Sequence, residues 1–164
     1  KRMIYYYFGS KEQLYVEVLE KLYGDIRNTE NRLHLAELAP QEAIRRLVEF
    51  TFDHHDRNVD FVRIVSIENI HNAEFVKQSQ PIKAMNNTIL DSLGVILQRG
   101  AEEGIFRQGL IALDVHLLIS SFCFYRVSNR HTIGEIFQID LPNEAIKQRH
   151  REMICESVLR YLQA

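Results

Sequence analysis

Proline and glycine are scarce in this chain, three and seven among 164 residues. Few positions can therefore break a helix, and the strict apolar/polar alternation of a half-buried strand is nearly absent. Two cysteines, Cys123 and Cys155, are too few for a disulfide framework, so the expected setting is a reducing cytoplasm. No run approaches the ~20 uninterrupted apolar residues of a membrane span, and no signal-peptide pattern opens the chain. Neither sign of charge dominates: 20 Lys and Arg stand against 22 Asp and Glu. The resulting pI near 6.4 argues against nucleic-acid binding by these residues as a whole. What is present is 46% apolar residues, enough to cover the core of one ordinary domain and to exclude disorder.

Helical periodicity runs through almost the whole chain and predicts an all-α fold. Ser10 and Gln13 form a capping box before a helix expected over 11–36, with Leu14, Val18, Leu22 and Ile26 on one face. Pro40 suits the first position of a second helix, whose inner face is Ile44, Leu47, Val48 and Thr51. Asn58 is expected to cap a helix over 59–71, and Asn72 a short piece through Gln78. Pro81 starts a longer helix that Gly104 is placed to end. Asp114 is expected to cap a helix to about Asn129, Thr132 to Glu135 to open a short one, and Pro142 to open the last, which reaches about Leu162.

Two of these helices carry more apolar surface than one face can hold. On the helix 114–129, Val115, Leu118, Ile119, Phe122 and Tyr125 share one side, while Leu117, Ser120, Phe124 and Val127 lie roughly opposite. On the last helix, Ile146, His150, Met153, Ile154, Ser157 and Tyr161 form an arc that Cys155, Val158, Leu159 and Leu162 widen. Surplus apolar surface on two consecutive helices predicts a homodimer built from two helices of each subunit. A fully buried pair inside a monomer is the alternative.

The polar groups that stand out are Glu68 and His71, on the same face as Phe61 and Ile64 of a helix apolar on nearly every side. A carboxylate there is costly unless paired. It either supplies the polar contacts of an apolar pocket or pins neighbouring helices by pairing with Arg126 or His71. Glu68-x-x-His71 is also half of a di-iron motif, but such sites need it twice. His54-His55-Asp56 evokes a metal-dependent hydrolase, although a solvated helix end explains it as well. No nucleophile motif and no phosphate loop is visible, so no catalytic residue, metal ligand or cofactor is assigned.

The most specific stretch is Met3-Ile4-Tyr5-Tyr6-Tyr7-Phe8-Gly9-Ser10-Lys11-Glu12-Gln13-Leu14. It resembles the tetracycline-repressor (TetR/AcrR) family of transcriptional regulators, in which such aromatics end the recognition helix of a helix-turn-helix and Ser-Lys-Glu-x-Leu opens the next long helix. Gly104-Ile105-Phe106-Arg107 before Asp114 is similar to that family's turn ahead of its penultimate helix. The resemblance implies DNA contacts by Lys1, Arg2, Tyr5, Tyr7 and Lys11, with Tyr6 and Phe8 packing the small domain.

It further implies that residues 1–10 are a remnant of the DNA-binding domain and 11–164 the ligand-binding and dimerisation domain, dimeric through a four-helix bundle of the two C-terminal helices. Most of the helix-turn-helix is missing from these residues, so operator DNA is the expected partner of a parent protein and not of this stretch alone. The implied mechanism is a small, largely apolar effector that tilts the helix 11–36 and moves the two reading heads apart. Phe61, Ile64, Glu68, His71, Met85, Ile89, Phe122, Tyr125 and Arg126 are the expected effector contacts, with Arg126 suited to a carboxylate. Leu117, Ser120, Phe124, Val127, Ile146, His150, Met153, Ile154, Ser157 and Tyr161 are the expected dimer contacts. Competing readings are a helical metalloenzyme using Glu68, His71 and His54-His55-Asp56, and a dimerisation module with no pocket.

Overall fold

The computed structural model describes residues 9–164. The expected DNA contacts Lys1, Arg2, Tyr5 and Tyr7 lie outside the described residues. Within them the chain forms seven α-helices: α1 (Lys11–Asn31), α2 (Pro40–Arg57), α3 (Val59–Ile70), α4 (Gln80–Glu102), α5 (Ala112–Ser128), α6 (Arg130–Phe137) and α7 (Glu144–Leu162). Short 3-10 turns, Leu35–Glu37 and Val76–Gln78, follow α1 and α3. The all-α expectation holds.

Local chemistry explains most helix ends. Ser10 accepts a hydrogen bond from the Gln13 amide at 3.0 Å, as the capping box requires. Ser79, one residue before Gln80, caps α4 through the Ile82 amide, so Pro81 follows the true start. Gly104 ends the following turn with φ +70°, a conformation that costs a glycine little.

Other ends differ from expectation. The helix 11–36 stops at Asn31, because the chain turns through His34 at φ 49° to bury Leu35 in the core. Asn58 holds the N-cap position of α3 as expected, but its side-chain amide goes to the His54 carbonyl and makes no cap bond. Asn72 likewise caps nothing: it sits at φ 56°, and the 3-10 turn begins at Val76. Asp114 lies inside the first turn of α5, which starts at Ala112, and there favours the positive helix end without capping it. Thr132 is interior to α6, its hydroxyl bonded back to the Asn129 carbonyl. The last helix opens two residues after Pro142, where the Asn143 side chain accepts from the Ala145 and Ile146 amides.

The main core lies between α2, α4, α5 and α7 and includes Ile44, Leu47, Val48, Leu93, Ile96, Val115, Ile119, Val158 and Leu162. Phe106, 1% exposed, lies flat on Gly100: a Cβ added at that glycine would come within 2.0 Å of the ring. A smaller apolar cluster of Ile26, Phe61, Val62 and Val127 joins α1 and α3 to α5. Beside the smaller cluster the helices leave a space partly open to solvent.

An effector-type cavity beneath the first helix

That unfilled space is a cavity of about 390 Å³, within the range of small-ligand sites. Five helices and the second 3-10 turn wall it. α1 supplies Tyr23, Ile26, Arg27 and Glu30; α2 supplies Thr51 and His55; α3 supplies Phe61 and Val65. Val76, then Ile82, Lys83 and Asn86 of α4, then His116, Ser120 and Phe124 of α5 complete it. The lining is aromatic and aliphatic with a few convergent polar groups. Tyr23 stands edge-on to Phe61 at 5.4 Å, and His55 edge-on to Phe61 and Phe124 at 5.7 and 6.2 Å.

Arg27, 7% exposed, is ion-paired with Glu30 one turn on, yet its buried Nε–H has no acceptor. Burial pushes the Glu30 carboxyl above its ordinary range against the pull of Arg27. His55 Nδ1 lies 2.7 Å from the Thr51 carbonyl oxygen and donates to it, which leaves Nε2 as an acceptor. Burial lowers the pKa of His55, the Thr51 bond resists that shift, and the Arg27 charge adds to it. His116 is driven down to about 4, by burial first and then by the charges of Arg27 and His55. At neutral pH His55 and His116 are therefore uncharged, and the charged groups of the wall are Arg27, Glu30 and Lys83.

The residues named from sequence distribute unevenly around this space. Phe61 lines it. Glu68 is buried nearby, but its carboxylate accepts the backbone N–H groups of Phe75 and Val76 at 3.2 and 3.0 Å. Ile64 is half-buried off the lining, and His71, at the C-terminal end of α3, is exposed. Met85 rests against Gly24, and Ile89 belongs to the main core. Arg126 lies off the lining: its terminal nitrogens donate to Asp56 and to the Leu141 carbonyl, both at 2.7 Å, and its buried Nε–H has no acceptor. Its ion-pair partner is Asp56 on α2 and not Glu68.

On α5 the side holding Val115, Leu118, Ile119 and Phe122 packs in the main core as expected, while the other assignments on this helix divide. Ser120 and Phe124, read as dimer contacts, line the cavity, and Val127 fills the smaller apolar cluster. Tyr125, read as an effector contact, is 61% exposed, and Phe122 packs edge-on to His150 at 5.9 Å. The outward stripe of α5 is Leu113, Leu117 and Tyr125. On α7, Met153, Ser157 and Tyr161 are exposed, Ile146 and His150 half-buried, and Ile154 belongs to the core. Sequence reasoning missed Arg27, His55 and His116; the signal was a charged or polar residue recurring on the inner arc of each helix.

The metal alternative finds its residues occupied elsewhere. Among the described residues no cluster of three or more His, Cys, Asp or Glu is placed to hold a metal. Asp56 is held by Arg126 and Lys147, and Glu68 and His71 diverge in burial. Cys123 is buried, with its thiol pushed up to about 12 chiefly by that burial.

The described residues thus form an all-helical domain with a mixed-polarity cavity beside the helix that follows the aromatic motif. Comparison with known proteins gives the family. Residues 40–158 match the tetracyclin repressor-like C-terminal domain. The chain is 36% identical over 161 residues to the HTH-type transcriptional repressor NicS of Pseudomonas putida, covering 98% of this chain and 76% of that protein. Its fold is similar to the crystal structure of the regulator SCO4942 of Streptomyces coelicolor, with a TM-score of 0.65 at 19% identity over 98% of this chain and 79% of that one. The TetR transcriptional regulator SCO0520 of the same organism matches at 0.57 with 16% identity and the same coverage. The chain belongs to the TetR family of transcriptional regulators. No helix among the described residues is long and apolar enough to cross a membrane.

Proposed function

We propose that residues 11–164 are the effector-binding and dimerisation part of a cytoplasmic, non-enzymatic transcriptional repressor, and that residues 1–10 end its DNA-reading head. The cavity beneath α1 carries this reading: four of its lining residues belong to the helix that leads directly from the aromatic motif. A molecule that binds there and prefers one tilt of α1 biases the spacing of two reading heads in a homodimer. Lys11, exposed in the first turn of α1, suits a phosphate contact assisted by the helix dipole. The relative's printed name supports repression as the resting activity.

The effector that fits is a compact, planar molecule. Its ring packs among Tyr23, Phe61 and Phe124, an acceptor oxygen meets the free Nε–H of Arg27, and a donor can meet His55 Nε2. The dimer is formed by the outward stripe of α5, Leu113, Leu117 and Tyr125, with Met153, Ser157 and Tyr161 of α7.

A thermal-shift screen of small aromatic metabolites tests the site. A true effector raises the melting temperature with concentration. The shift disappears in an Arg27→Met/Glu30→Gln variant, which removes both charges and leaves no unpaired one. A shift that survives this variant places the ligand elsewhere. The operator complex of the protein carrying its reading head is then expected to dissociate when that compound is added.

A further inference from the structure

Two charged residues of the cavity wall are buried, Arg27 and Glu30, 7% and 5% exposed and three apart on α1. They join at one point, guanidinium Nη1 to carboxylate Oε2. A guanidinium has five N–H donors and a carboxylate two acceptor oxygens, so a single contact leaves bonding capacity over on both sides. The Nε–H of Arg27 is buried with no acceptor. A buried donor in that state is rare, and in the wall of a cavity a ligand is what can complete it.

Charge decides which ligand. Glu30 already offsets Arg27, so the pair as a whole is neutral. Thr51, Asn86, Ser120 and the uncharged His55 and His116 line the same space and add no charge. Lys83 is exposed, and its ammonium donates to the Lys77 carbonyl at 2.9 Å. A carboxylate set on Arg27 would also stand close to the Glu30 carboxylate. Attraction and repulsion then largely cancel, while the cost of drying the anion remains. A cation set on Glu30 meets the mirror-image problem beside Arg27. An uncharged group with a carbonyl oxygen and an N–H on one carbon meets neither, and both of its bonds are charge-assisted.

We propose that the cavity selects uncharged molecules bearing a carboxamide, or the equivalent C=O and N–H edge of a lactam, with Arg27 donating to the carbonyl and Glu30 accepting from the N–H. Glu30 is then the residue that sets specificity: it turns an arginine site, suited to acids, into one that rejects them. This class of ligand rests on the effector-cavity reading above, and its test is arranged so that the two fail separately.

Benzamide, benzoate and benzamidinium share one ring and one shape and differ in charge, so they serve as the probes. Their affinities are measured at neutral pH by ligand-observed NMR on the protein carrying its DNA-reading head. Benzamide is expected to bind about tenfold tighter than either ion. Glu30→Gln leaves Arg27 unopposed and should move the preference to benzoate by roughly the same factor. Arg27→Met leaves Glu30 alone and should move it to benzamidinium. Glu30 can shed its charge by protonation when no ligand is bound, so this second variant serves if Glu30→Gln does not fold. A purely structural ion pair would weaken all three probes together and leave their order unchanged.

Benzoate or benzamidinium binding tightest to the unchanged protein overturns the carboxamide class and leaves the cavity reading standing. An order unmoved by Glu30→Gln and Arg27→Met does the same. If none of the three binds, the carboxamide class falls, and the thermal-shift screen alone decides the cavity reading. Ser120→Trp fills the cavity from α5 and Asn86→Phe from α4. Probe binding that survives both lies outside the cavity and overturns the cavity reading, and the ligand class with it.

Discussion

Arg126 and Asp56, 70 residues apart, form an ion pair at 2.7 Å that closes α5 onto α2. The arginine side chain is 5% exposed, lies over the Phe52 ring at 4.7 Å and spends its other terminal nitrogen on the Leu141 carbonyl. Lys147 of α7 reaches the second oxygen of Asp56 at 3.3 Å. The Asp56 carboxylate thus joins three helices, and Arg126 adds the loop before α7.

Removing one member should cost more than removing the pair. Arg126→Leu leaves Asp56 without its main partner and the Leu141 carbonyl without a donor, and should cost about 3–5 kcal/mol. The double variant Arg126→Leu/Asp56→Leu should recover part of that loss. Urea unfolding of the three proteins checks the ranking. Burial raises the Asp56 carboxyl, but its bonds to Arg126 and Lys147 outweigh this and hold it below the ordinary value of 3.8. Its contribution is therefore complete above about that pH and lost as pH falls through the lower folded value.

Two half-buried histidines give a second, separate pH dependence. His54 and His116 are both lowered from 6.5 to about 4, burial being the main cause in each. The unfolded chain takes up these protons near pH 6.5 while the folded chain refuses them until about 4. Stability should be full above pH 6.5 and decline between there and about pH 4. Thermal melts across this range should show the decline, and His116→Gln should make it shallower. A melting temperature flat from pH 7 to 5 would contradict the neutral assignment.

Gly100 should tolerate no side chain. A methyl group there meets the Phe106 ring at 2.0 Å, and Phe106 has no room to retreat because it is almost wholly enclosed. Gly100→Ala should destabilise by about 2–3 kcal/mol despite alanine's better helix propensity. Adding Phe106→Leu to Gly100→Ala should cost less than the sum of the two single changes.

The outward stripe of α5 should govern association and little else. Leu117 and Tyr125 are 55% and 61% exposed, so Leu117→Glu and Tyr125→Glu leave the interior intact. Light scattering at micromolar concentration should give a dimer for the unchanged protein and a single-chain mass for the doubly charged variant, with cooperative unfolding retained. A dimer that persists in the variant would move the interface off this face.

What could be read from sequence was whatever depends on neighbours along the chain. Scarce proline and glycine, the 3.6-residue periodicity and the Ser10–Gln13 cap fixed the helices and most of their order. The double apolar character of α5 was equally visible. That Val115, Ile119 and Phe122 turn inward was legible too; that Phe124 is also covered while Leu117 and Tyr125 stay outside was not, because all three present the same chemistry until a partner helix takes one side.

Long-range pairing was the decisive unknown. Arg126 read as a ligand contact because it is a charged group on an otherwise apolar inner face; its ion-pair partner, Asp56, comes from another helix. Glu68 read as a pocket residue because a carboxylate on an apolar helix needs a partner; its partners are backbone amides in the turn that follows. Arg27, His55 and His116 gave weak local signals, since a polar residue on a helix is ordinary until its burial is known. Sequence alone determined the helices, the family resemblance and the presence of surplus apolar surface, all consequences of local spacing. Only the tertiary structure decided which polar groups were already satisfied, and therefore which of them, Arg27 above all, still had a bond to offer.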